Sequence, residues 1–356
     1  LVLLSLALCI GALGSPSDSA QGRIVIETLH SQALRGNGIG DTHDRKVTIY
    51  LPPSYDHDAA RRYPVVYLLH GSTSDPKEWL DGSYQGLNLS AALDQRTDQA
   101  EFIVVMPLAD NSFGGSFYVN SVAFGRWEDF VVTELVGFVD ARFRTLPVRQ
   151  SRALAGQSMG GFGALYLAGR HADTFGHVYA MSPCCLGFLG DLAAESDRWR
   201  TEPSGWLRAM AVAFAPDPSR DATVPPAPLP FVAGPDGQIE EVNAVARAWR
   251  EHLPLYRLMR DPAPYRRLCT IALEAGRQDE IPNVPLGTAS FSRELNRAGI
   301  AHTLDEFTGG HTDRTRERFE TAVLPFFARV LTTQERPGAC EEISNMHEDE
   351  AQAPTP

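Results

Sequence analysis

Residues 154–165 run Leu154-Ala155-Gly156-Gln157-Ser158-Met159-Gly160-Gly161-Phe162-Gly163-Ala164-Leu165. Gly156 to Gly160 match the pattern G-x-S-x-G, in which a serine sits on a sharp turn from a strand into a helix. That turn forces the serine into a strained backbone conformation. It also brings the residues two before and two after it so close that a Cβ would clash, and glycine avoids the clash. The serine hydroxyl is left exposed at a strand end, beside a helix N-terminus. The same five residues also occur by chance in turns whose serine is inert, so the flanks must agree. Ser151 to Ala155 is an apolar-rich run of strand length. Gly161 to Ala168 continues in small and apolar residues, as a helix packed closely on a sheet would.

Outward from this point, apolar runs of strand length recur. They are Ile24 to Leu29, Val47 to Leu51, Val65 to His70, Phe102 to Met106, Arg152 to Gly156, His177 to Ser182, Thr270 to Glu274 and His302 to Phe307. The middle runs are continuously apolar, which suits strands buried on both faces. Helical patterns lie over Glu128 to Phe143, Met159 to His171, Leu286 to Ala298 and Arg314 to Leu331. In the first of these, Phe130, Val131, Leu135, Phe138 and Val139 make one apolar stripe. Strand and helix alternate from Val65 onward. The expectation is an α/β fold with a mostly parallel, eight-stranded sheet and helices on both faces.

Two stretches break the rhythm. Residues 187–267 separate the sixth and seventh strands and are long for a connection. They hold a proline-rich piece from Ala215 to Pro228, then a helical pattern near Glu240 to Met259. They read as a cap-like insertion in one domain over residues 22–333. Residues 334–356 are polar and acidic and read as a disordered tail. Residues 1–14 are uncharged and mostly apolar, like the core of a secretory signal, with a small-x-small site at Ala12-Leu13-Gly14 and a linker over 15–21. The sequence begins without Met or a basic region, so it reads as truncated at its start.

The 356 residues are 43% hydrophobic, ample for a large core. A net charge of −12 argues against nucleic acid and anionic membrane surfaces. Residues 1–14 are too short for a transmembrane helix, which needs roughly 20 apolar residues, and no other run qualifies. The expectation is an exported protein, secreted or periplasmic. Export permits disulfides among Cys184, Cys185, Cys269 and Cys340, whose pairing spacing does not reveal. No C-x-x-C, H-E-x-x-H or histidine cluster occurs, so neither a metal nor a cofactor is expected.

A nucleophilic serine needs a base, and the base needs an orienting acid. In elbow-type α/β hydrolases they follow in the order Ser, Asp or Glu, His. The strand after the insertion leads into Ala275-Gly276-Arg277-Gln278-Asp279-Glu280. Asp279 and Glu280 both qualify by position. Asp279 is preferred, because a short buried carboxylate orients an imidazole with the least freedom. His302 and His311 compete for the base, at opposite ends of the last strand. At ~3.3 Å per residue those ends lie roughly 20 Å apart. Only the C-terminal end reaches Ser158, which selects His311 in Thr308-Gly309-Gly310-His311. An oxyanion needs backbone donors. Met159, after the nucleophile, supplies one amide, and Ser72, after Tyr67-Leu68-Leu69-His70-Gly71, supplies the other. His70 itself, at the end of a buried strand, reads as structural.

These motifs stand in one order: Tyr67-Leu68-Leu69-His70-Gly71 with Trp79, Trp127-Glu128-Asp129-Phe130, Gly156 to Gly161, Gly276-x-x-Asp279 and Gly309-Gly310-His311. The series resembles the esterase D, or putative esterase, family of α/β hydrolases over about residues 22–332. That family includes S-formylglutathione hydrolases, feruloyl esterases, siderophore esterases and mycolyltransferases. The resemblance implies the α/β-hydrolase fold and a Ser158–His311–Asp279 triad with Ser72 and Met159 as oxyanion donors. The function expected is a secreted serine carboxylesterase acting on a small-molecule or carbohydrate-linked ester. An acyltransferase with the same triad is the alternative. A binding protein on the same scaffold is a third reading, against which the complete triad argues.

Overall fold

The computed structural model describes residues 21–96, 101–201, 205–216 and 228–331. Its centre is one sheet of Arg23–His30 (β1), Asp44–Leu51 (β2), Val65–Leu69 (β3), Ile103–Pro107 (β4), Arg152–Gln157 (β5), His177–Met181 (β6), Thr270–Gly276 (β7) and Thr303–Phe307 (β8). The strand order is β1-β2-β4-β3-β5-β6-β7-β8. β1 and β4 each pair antiparallel with β2, and the other neighbours pair parallel. Each strand lies where its apolar run predicts, give or take three residues at either end.

Side chains alternate across the sheet, and both faces are buried. Val65, Tyr67, Leu69, Val105, Leu154 and Val178 face one layer. Val66, Leu68, Val104, Ala155 and Tyr179 face the other. On the first side lie helices over 127–142 (α1), Met159–Ala168 (α2) and Asn283–Arg297 (α6, counting the three helices introduced below), through Phe130, Leu135, Phe162, Leu165, Phe291 and Leu295. A helix over 315–330 (α7) covers the second side through Phe319, Val323, Leu324 and Phe327. Burying each such side chain contributes roughly 1.5–3 kcal/mol. The helical patterns over Glu128 to Phe143, Met159 to His171, Leu286 to Ala298 and Arg314 to Leu331 become α1, α2, α6 and α7, and α1 winds as a π-helix over Phe130–Leu135.

The chain between β6 and β7 carries Gly205–Phe214 (α3), Asn243–His252 (α4), Pro254–Arg260 (α5) and a hairpin of Phe231–Ala233 with Ile239–Glu241. α4 and α5 lie on the predicted helical pattern. α3 has no counterpart in the sequence reading, because Leu207 and Ala209 to Phe214 are nearly all apolar and all buried, which blurs helical periodicity. Trp199, Phe214, Phe231 and Trp249 are buried against one another rather than lining a cleft. Phe214 stacks on Phe162 of α2 at 5.7 Å, which joins this cluster to the main core. The proline-rich residues 217–227, the apolar residues 1–14 and the acidic residues 334–356 lie outside the described residues. Cys269 is disulfide-bonded. Cys184 and Cys185 are free and buried. No helix among the described residues is long and apolar enough to cross a membrane.

Glu128 opens α1 and is a carboxylate only 3% exposed. The Tyr166 hydroxyl (3.0 Å), Arg170 Nε (2.6 Å) and His171 Nε2 (2.6 Å) converge on it. Burial alone disfavours its charge, but the bonds from His171 and Arg170 outweigh burial and hold the carboxyl down at about 2. A folded value below the unfolded one gives stability that is full above the unfolded pKa and lost as pH falls through the folded one. Wild type is therefore expected to lose Tm between pH 4.5 and about 2 more steeply than Glu128→Gln. The shift corresponds to on the order of 3 kcal/mol. Parallel Tm curves for the two proteins would refute it.

Candidate active site

Ser158 stands between β5 and α2 at φ 57° and ψ −118°, a backbone conformation that costs a non-glycine residue energy. Packing holds it there. A Cβ on Gly156 would lie 2.2 Å from the Gly160 carbonyl oxygen, and one on Gly160 would lie 1.9 Å from the Leu69 carbonyl oxygen. Both obstacles are backbone and cannot swing aside. Gly160→Ala is expected to cost at least about 3 kcal/mol in denaturant unfolding. A loss under 1 kcal/mol, on the same scale, would show that the elbow can relax.

Asp279 and His311, expected as acid and base, meet as a pair. His311 Nδ1 lies 2.7 Å from Asp279 Oδ2. The Asp279 carboxylate is fully buried, with its other oxygen accepting from the Ile281 amide at 2.9 Å. Glu280, the rival by position, accepts from the backbone amide of His311 at 3.1 Å and so holds the loop rather than the ring. The Gln157 side-chain amide donates to the His311 carbonyl at 3.3 Å, which ties that loop to the residue before Ser158. Among the described residues no hydrogen bond joins the Ser158 hydroxyl to the His311 ring. His302 sits at the far end of β8, bonded to Ser292 Oγ and the Ile300 carbonyl.

The amides of Ser72 and Met159 donate to no backbone carbonyl among the described residues. Ser72 is held from two sides. The Ala109 amide donates to His70 Nε2 at 2.8 Å, so the neutral ring carries its proton on Nδ1 and donates to the Gly71 carbonyl at 2.7 Å. Burial keeps that ring neutral by lowering its pKa. The bond fixes the peptide plane whose N–H belongs to Ser72. On the other side, Ser72 Oγ donates to the Gly114 carbonyl at 2.6 Å. The loop supplying that carbonyl is organised by Asn111, whose Oδ1 accepts from the amides of Phe113 (2.9 Å) and Gly115 (3.1 Å). Sequence reading missed this loop, although Asn111-Ser112-Phe113-Gly114-Gly115 is a turn signal directly after a strand.

Comparison with known proteins agrees with this architecture. The family described as Putative esterase matches residues 41–324. Two Mycobacterium tuberculosis proteins, Esterase MT1326 and Esterase Rv1288, are each 29% identical over 283 residues, 75% of this chain and 52% of theirs. The chain thus spans about half the length of these relatives. Among solved structures, a ferulic acid esterase superposes with a TM-score of 0.62 at 22% identity, covering 88% of this chain and 99% of its own. An S-formylglutathione hydrolase from Agrobacterium tumefaciens follows at 0.59 and 17% identity, covering 88% and 97%. At these identities the structures bear on fold alone: the α/β-hydrolase fold. By the match over most of its length, the chain belongs to the putative esterase family.

Proposed function

We propose that this protein is a secreted serine carboxylesterase that works through an acyl-enzyme on Ser158. The observation that carries the reading is the 2.7 Å Asp279–His311 bond on the loops flanking a serine held at φ 57°. In this reading His311 Nε2 takes the hydroxyl proton as Oγ attacks the ester carbonyl. The oxyanion settles against the Ser72 and Met159 amides. His311 then gives the proton to the leaving alcohol, and water resolves the acyl group by the same steps. Asp279 stabilises the imidazolium and keeps Nδ1 protonated. The substrate is a small-molecule or carbohydrate-linked ester. Export is supported by the apolar residues 1–14 and by the disulfide on Cys269, which suits an oxidising compartment.

The test is product analysis of p-nitrophenyl acetate turnover with and without an acceptor alcohol, with a fluorophosphonate probe to mark the nucleophile. Free acetate in both cases and a probe adduct on the Ser158 peptide are expected. Transfer of most acetyl to the acceptor would identify an acyltransferase instead. No turnover and no adduct would leave a binding protein.

A further inference from the structure

Cys184 and Cys185 take no part in this chemistry, yet they lie against both halves of the site. The Cys184 amide donates to the carbonyl of Ser158 at 3.3 Å. The Cys185 amide donates to Asn283 Oδ1 at 2.8 Å. Asn283 opens α6, just beyond Asp279, and is held in turn by Asp191 Oδ1 through its amide (3.0 Å) and its Nδ2 (2.7 Å). Upstream, the Ser182 amide donates to the Glu274 carbonyl of β7 at 2.8 Å. Residues 182–185 thus bridge the nucleophile and the helix that follows the acid. The bridge is already strained, with φ 40° at Ser182 and 61° at Cys185. Cys269 is spoken for by its disulfide, so among the described residues this pair holds the free thiols.

We infer that Cys184–Cys185 is a redox-modification site, at which hydrogen peroxide closes a vicinal disulfide and thereby disables the ester chemistry proposed for Ser158. The inference rests on that reading of Ser158. Cys184, 6% exposed against 0% for its neighbour, attacks first. Its sulfur, having given up its proton, displaces one oxygen of the peroxide. The O–O bond breaks, the departing hydroxide takes that proton as water, and a sulfenic acid remains. Cys185 sulfur then attacks the sulfur of Cys184. The S–O bond breaks, and the hydroxyl leaves as a second water with the Cys185 proton. Two thiols and one peroxide give one disulfide and two waters. Burial pushes the Cys185 thiol up, which leaves the first step, the reaction with peroxide, to Cys184.

The consequence for the site follows from chain geometry. Adjacent Cα atoms are about 3.8 Å apart across a trans peptide. Ordinary disulfides span about 4.4–6.8 Å between Cα atoms. Closing the ring must therefore move the backbone of residues 184 and 185. That backbone carries the two amides bonded to Ser158 and Asn283. A strained disulfide is also readily reduced, which makes the modification reversible.

The experiment treats the full chain, Cys184→Ser and Cys185→Ser with peroxide and compares each with its own untreated sample. Peptide mapping by mass, p-nitrophenyl acetate turnover and fluorophosphonate labelling of Ser158 are read together. In wild type the 184–185 peptide is expected to lose two hydrogens. Turnover and labelling fall by roughly 10²-fold, the effect of misplacing a reacting group by an ångström, and dithiothreitol restores both. The serine variants keep most of their own activity. The proposal is overturned if no 184–185 disulfide is found, or if it forms with turnover unchanged. It is also overturned if the variants lose as much as wild type, as oxidation of Met159 would cause. If untreated wild type neither turns over ester nor takes the probe, the Ser158 reading fails and the inhibition with it. The peptide map still decides on the disulfide itself.

Discussion

Ser158→Ala is expected to lower kcat for a short-chain p-nitrophenyl ester by roughly 10⁶-fold, to the level that oxyanion donors and substrate binding sustain alone. The reason is that Oγ is the atom acylated in the proposed mechanism, and nothing nearby replaces it. The Ser72 and Met159 amides stay in place, so a residual rate of ~10³–10⁴ over water is expected to survive. The variant is expected to fold as well as wild type, because no hydrogen bond of the Ser158 hydroxyl supports the fold among the described residues. Its backbone amide still donates to the Met181 carbonyl, 3.0 Å away in wild type, and its carbonyl still accepts from Phe162. Steady-state kinetics beside a thermal melt check both halves of the expectation. Turnover within tenfold of wild type, in a folded variant, would remove Ser158 from the chemistry.

Asp279→Asn is expected to cost about 10⁴-fold in kcat while leaving the loop folded. The geometry says why. Asp279 uses one oxygen on the Ile281 amide (2.9 Å) and the other on His311 Nδ1 (2.7 Å). An asparagine keeps its carbonyl oxygen on Ile281, which turns its NH₂ toward the ring. His311 must then accept at Nδ1 and carry its proton on Nε2, where it cannot take one from serine. Glu280→Gln is the control, since Glu280 touches only the backbone amide of His311. Its effect is expected to stay within about tenfold, the scale of one lost hydrogen bond. Reversal of the two effects would make Glu280 the acid.

How much of this was legible in the chain differs residue by residue. Val65 to Leu69 reads as a buried strand because its apolar run is local, and the structure buries alternate residues against opposite layers. The elbow reads from Gly156, Ser158 and Gly160 because its steric conflict is largely local, although the obstacle to a Cβ on Gly160 is Leu69 of another strand. α3 was not legible, because its residues are apolar except for Arg208 and no motif marks its start, as the elbow marks that of α2. The loop led by Asn111 was missed, and nothing local marks it as a support for Ser72, which lies 42 residues from Gly114.

By itself, then, the sequence determined the strands, the helices α1, α2 and α4 to α7, the elbow and the order in which Asp279 and His311 follow it. These follow from spacing along the chain, where periodicity and turn sterics act over a few residues. Tertiary structure alone decided which neighbour of the acidic pair meets the His311 ring, and which turns back to the loop's backbone. It also decided that His70 orients the peptide of Ser72, that the large aromatic residues beyond β6 fill a core, and that Cys184 and Cys185 bridge Ser158 and Asn283. Each of these is a contact between segments that only packing brings together. The Cys185–Asn283 bond spans 98 residues, and no local preference of the chain encodes it.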